Sequence, residues 1–121
     1  MYAVVNGNND AVKFLLKNGA KIDDDDKSNW TSLLWAIKRK RTDIAKILIE
    51  SGADINHEDN EGTHIIHYAV FSGSYELLEL LINAGAKLKA KDQYGLTALV
   101  YALKEKNPQM IKIIKDYGGS Y

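Results

Sequence analysis

The chain has 121 residues, 45% apolar and 26% charged, a composition that suits one globular domain and not a disordered segment. Sixteen basic residues balance sixteen acidic ones, so no overall field draws the molecule to nucleic acid or anionic lipid, and any electrostatic preference must be local. With no cysteine, disulfides, thiolate metal sites and thiol nucleophiles are excluded; with no signal-like block in Met1–Gly7 and no apolar run of about 18 residues, the expected setting is cytoplasmic.

Laid over itself at an offset of 33, the chain brings Ala3, Ala36, Ala69 and Ala102 into register. The first unit, about 1–25, is partial: it opens at Met1-Tyr2-Ala3, lacks a turn and the start of a first helix, and then predicts an outer helix around Ala11 to Leu16 that stops at Gly19. It reads either as a fragment of a longer array or as an incomplete cap, and Tyr2, Val4 and Val5 favour the fragment because a cap should be polar outside. The second unit, about 26–58, has a short apolar stretch from Leu33 to Ile37. An outer helix follows with Ile44, Ala45, Ile47, Leu48 and Ile49 on a wide apolar arc, ending at Gly52.

The third unit, about 59–91, repeats this with Ile65 to Val70, the tight link Ser72-Gly73-Ser74, Leu77 to Ile82 and a stop at Gly85. In the fourth, about 92–121, Leu99 to Leu103 precedes Asn107-Pro108, an N-cap with a first-turn proline, and then Met110 to Ile114 and Gly118. Lys13, Lys46, Glu79 and Lys112 mark the solvent stripe of the outer helices, and Lys115 puts a charge where Leu16, Ile49 and Ile82 stand in the earlier units. Helices of about 8 to 10 residues are unstable alone in water, so stacking has to supply the core.

Asp59-x-x-Gly62, the Thr-x-Leu-x-x-Ala of Thr31 to Ala36 and Thr97 to Ala102, and Gly52-Ala53-Asp54-Ile55-Asn56 resemble the ankyrin-repeat family over nearly the whole chain. The resemblance implies an all-α solenoid of stacked helix-turn-helix units with short β-turn or hairpin connections. The family's Thr-Pro-Leu-His entry has lost its proline everywhere and keeps its histidine only at His67. Apolar packing by Leu34 and Val100 is expected where that histidine's hydrogen bonds would be.

Chemistry has few footholds. His64 and His67, three apart with His57 and Glu58 nearby, are a conceivable metal pair, but no distant ligand is indicated and the pair reads as structural; no metal and no cofactor are expected. No Gly-x-Ser-x-Gly, phosphate loop or paired-carboxylate motif occurs, so no catalytic residue is assigned and the chain is expected not to be an enzyme. Asp23 to Asp26 lack the interleaved spacing of a calcium loop. That acidic run and the basic run Lys38-Arg39-Lys40-Arg41 are expected at opposite ends of one helix pair, as solvated loops or as a site for an acidic partner. Tyr2, Trp35, Tyr68 and Tyr101 form a ladder in register, as core between helices or as the lining of a groove.

Proteins that this chain resembles bind partners with turn tips and the exposed side of the inner helices. Carried onto this sequence, the candidate partner-binding residues are Trp30, Lys38, Arg39, Glu61, Thr63, Phe71, Ser72, Tyr94, Leu96 and Lys104, with Trp30, Phe71, Tyr94 and Leu96 as apolar anchors. The resemblance thus implies a module that binds another protein or a peptide, with no nucleic acid and no membrane involved. It would be a monomer, or would associate end to end through the truncated first unit. The competing expectation is a structural or spacer segment of a larger repeat or multidomain protein, such as a secreted effector.

Overall fold

The computed structural model describes residues 1–121, and every regular element in it is helical. The inner helices are α1 (Tyr2–Val5), α3 (Ser32–Lys38), α5 (Ile65–Ser72) and α7 (Ala98–Lys104); the outer ones are α2 (Asn9–Lys17), α4 (Thr42–Glu50), α6 (Tyr75–Asn83) and α8 (Pro108–Asp116). Each inner helix packs on its own outer helix and on the inner helices beside it, and each outer helix packs on the outer helices beside it. That ladder of contacts is a side-by-side stack, the all-α solenoid expected. The expected hairpins are reduced to single bridges, Asp25 with Thr31 and Glu58 with His64.

One core of 23 buried residues runs through the stack, with Leu33, Ile66 and Leu99 from the inner helices and Leu48, Leu81 and Ile114 from the outer ones. Ala36, Ala69 and Ala102 have no accessible surface, which explains the alanine register: neighbouring inner helices approach too closely for a larger side chain. Lys13, Lys46, Glu79 and Lys112 are all exposed on the outer-helix side, and Lys46 Nζ meets Glu76 Oε1 at 3.1 Å across two outer helices.

Helix ends follow one design. In the second unit the Gly52 N–H donates to Ile49 O and the Ala53 N–H to Leu48 O, a Schellman motif that needs the left-handed φ of 92° at Gly52. The inner helices α3 and α7 end the same way, but there Lys40 and Lys106 hold φ of 56° and 54° without being glycine. At the other ends, Asn107 Oδ1 accepts from the Met110 N–H at 3.2 Å and Pro108 takes the first turn, as the sequence predicts.

The entry to the inner helices also resolves residue by residue. Thr31 and Thr97 cap α3 and α7 by accepting from the Leu34 and Val100 N–H groups. Leu34 is fully buried, as expected, but Val100 is only half-buried. His67 keeps the polar solution: Nδ1 accepts from the His64 N–H at 3.0 Å, so Nε2–H is the proton that donates to Leu96 O in the next unit, also at 3.0 Å.

Candidate protein-binding groove

The turns of the second, third and fourth units are built around one aspartate each. Asp26 Oδ1 accepts from the Ser28 and Trp30 N–H groups, Asp59 Oδ1 from Glu61 and Thr63, and Asp92 Oδ1 from Tyr94 and Leu96, all at 2.9 or 3.0 Å. The second oxygen of each carboxylate reaches the inner helix nine residues on: Asp26 Oδ2 accepts from Trp35 Nε1–H, Asp59 Oδ2 from the Tyr68 hydroxyl and Asp92 Oδ2 from the Tyr101 hydroxyl. Each carboxylate thus ties a turn tip to the ring that lies beneath it.

The electrostatics follow from that tie. Burial tends to raise the pKa of Asp26 and Asp92, but their donors outweigh it and both are held below the usual carboxylate range. Burial and the facing carboxylates push the phenols of Tyr68 and Tyr101 up, Tyr101 to about 12, so both remain hydroxyl donors at neutral pH. Burial likewise lowers the pKa of His67, opposed by the Leu96 carbonyl and by Asp92.

Held this way, the rings form a continuous row across three units. Trp35 and Trp30 have centroids 4.8 Å apart, Trp30 and Tyr68 4.9 Å, Tyr68 and Phe71 5.8 Å, and Phe71 and Tyr101 4.8 Å, mostly edge to face. The Arg39 guanidinium lies 5.9 Å from the Trp35 ring and the Lys104 ammonium 6.0 Å from Tyr101. Tyr2 stands apart from this row, 86% exposed in a unit without a turn aspartate. Trp35, Tyr68 and Tyr101 therefore pack against the core on one side and stay partly open to solvent on the other.

Beyond Arg39 and Lys104, the candidate residues take different places around those rings. Lys38, Phe71 and Ser72 converge on one hollow of about 230 Å³ with Lys40 and Tyr68. Trp30 and Glu61 line a second, with Ser28, Asp59, Asn60 and Tyr68. Phe71 is 41% exposed, while Trp30 is half-buried and packs on its own repeat and the next, so it serves the fold as well. Thr63 and Leu96 belong to the turns: their N–H groups bind the turn aspartates and the Leu96 carbonyl receives His67. Tyr94 is 73% exposed at the last turn tip, away from both hollows.

A family profile described as ankyrin repeats (three copies) matches residues 1–59 and 56–121. The chain belongs to the ankyrin-repeat family. Ankyrin repeats are in general protein-interaction modules, and in this ankyrin stack the half-exposed row of rings lies on the inner-helix side, opposite the charged outer stripe. A search among curated proteins returns no match.

One thing on this face escapes sequence reading: the turn aspartates anchor the rings. Lys40, from the basic run, lines the first hollow beside Lys38, and Tyr68, from the aromatic ladder, belongs to both hollows. A signal for the anchors does exist: Asp26 with Trp35, Asp59 with Tyr68 and Asp92 with Tyr101 share a spacing of nine in register with the repeat. No group of three or more His, Asp or Glu side chains converges on a point that could hold a metal, and both nitrogens of His67 are committed to backbone groups. No helix is long and apolar enough to cross a membrane.

Proposed function

We propose that this chain is a protein-binding module whose partner lies across the inner-helix face, on the aromatic row from Trp35 to Tyr101, with no catalytic step. One observation carries the reading: Phe71 bridges the rings of Tyr68 and Tyr101 yet leaves 41% of its surface to solvent, beside cations and in a hollow. Large apolar side chains in such a setting anchor interfaces. A cytoplasmic setting belongs to the same reading, supported by a chain without cysteine. Truncating Phe71 to alanine should weaken a bound partner by about 1–3 kcal/mol while leaving the fold intact, since the ring is peripheral to the core. Isothermal titration with a captured partner reads this directly; an unchanged affinity in both Phe71→Ala and Trp30→Ala would refute the assignment.

A second reading has its own support. Leu15 and Phe14 are 46% and 65% exposed, whereas Ile114 and Ile113 at the same register in the last unit are buried. Those positions face a preceding neighbour, so the first unit presents an apolar end on which Leu15 and Phe14 are uncovered. This favours a structural segment that docks end to end. Light scattering over a concentration series separates the two: concentration-dependent mass that Phe14→Glu abolishes supports docking, and a constant monomer supports the stand-alone module.

A further inference from the structure

The loops that follow the inner helices carry a charge pattern that the fold does not consume. Lys38, Phe71 and Lys104 occupy one register in successive units, all exposed, and Lys40 and Lys106 flank them two residues on. None of these four lysines, nor Arg39, has a carboxylate within salt-bridge distance; the lysine–carboxylate pairs present are Lys46 with Glu76 and Lys112 with Asp116. Glu105 is the one carboxylate on these loops and stands at the register of Arg39. The turn tips across the groove are mixed, with Lys27 in the second unit and Glu61 in the third, and gather no net charge. The groove is thus polarised, with a cationic wall along the ends of the inner helices and the rings as its floor.

From this juxtaposition we infer that the occupant is an extended acidic peptide segment with an apolar residue at its centre: one carboxylate at Lys38 and Lys40, the apolar side chain against Phe71 and Tyr68, and a second carboxylate at Lys104 and Lys106. The spacing follows from geometry. Neighbouring helices pack at about 8–10 Å, so Lys38 and Lys104 are two such steps apart, and an extended chain at about 3.3 Å per residue covers that in about five or six residues. The cation–aromatic–cation order is symmetric, so either chain direction satisfies it. Partly desolvated carboxylates between ammonium groups give specificity and a salt-sensitive association rate, while the apolar contact supplies affinity. This inference rests on the inner-helix reading above and adds the chemistry of the partner to it.

The test selects a library of random twelve-residue peptides on the intact chain and titrates the winners against the parent, Phe71→Ala, the double variant Lys38→Glu with Lys104→Glu, and the milder Lys38→Gln with Lys104→Gln. Circular dichroism confirms that each variant is folded. The expected winners carry two acidic residues five or six apart around an apolar one. They bind the Glu double variant at least tenfold more weakly and the Gln one by an intermediate factor, and they regain affinity for the Glu variant when their own acids become lysine. Winners without acidic preference that need Phe71 but ignore both lysines would overturn this inference and leave the groove reading standing. Winners indifferent to Phe71 and the lysines alike would overturn both. An empty selection, or tighter binding of inorganic polyphosphate than of any acidic peptide through the same lysines, would also overturn it.

Discussion

Each turn aspartate does two jobs that a surface residue does not: its first oxygen closes the turn and its second fixes a ring of the inner-helix face. The repeat of 33 and the Asp-x-x-Gly turn are legible in the sequence because they recur, but this tie is hidden by chemistry that changes along the chain. An indole N–H at Trp35 and phenols at Tyr68 and Tyr101 do the same work, and only their shared donor capacity unites them. His67 belongs to this scale too. Its Nδ1 is occupied by the His64 N–H, so protonation there breaks a buried bond and charges a side chain with no accessible surface. Its folded pKa lies below the ordinary 6.5, so as pH falls the unfolded chain takes the proton first. Its contribution to stability is therefore complete above about pH 6.5 and is lost as pH falls through the lower folded value. Urea unfolding at pH 7.5 and 5.5 should show the parent losing stability, and His67→Leu, which copies Leu34, losing clearly less. An equal loss in both would remove His67 as the cause.

At the scale of elements, the helices and their stops follow from apolar periodicity and glycine, because each signal acts within one turn of chain. Close approach between elements is less visible. Gly119 stands where Ala20, Ala53 and Ala86 stand in the other units, so register alone recommends alanine there. The structure argues the opposite: a Cβ at Gly119 would lie 2.2 Å from Ile114 Cγ2, 2.9 Å from Ile114 O and 3.2 Å from Leu88 Cδ2. Gly119→Ala should therefore destabilise the fold by about 1–3 kcal/mol through overpacking. Gly52→Ala, with no atom within 4 Å of the new Cβ, should cost about 1 kcal/mol from its left-handed backbone alone. Chemical denaturation measures both, and a Gly119→Ala protein more stable than the parent would contradict the packing described.

The whole molecule is a row of neighbours, so its core is continuous while its two ends and two faces differ. Exposure of Leu15 and burial of Ile114 at one register state the end effect; neither is written in the residue types, since leucine and isoleucine look alike in a sequence. Face identity was partly legible. Phe71 and Lys38 are exposed where the resemblance to ankyrin repeats implies contact, but Trp30 is drawn into the ring row, an outcome that depends on Tyr68 from the next unit. Both tryptophans of the chain lie in that row, which gives the groove two indole N–H reporters of its own. Resonance mapping of the isotope-labelled chain on addition of a selected peptide tests the central claim directly. The indoles of Trp30 and Trp35 and the amides of residues 71–73 and 104–106 should shift together. Shifts confined to the outer stripe of Lys13, Lys46, Glu79 and Lys112, with both indoles still, would contradict it.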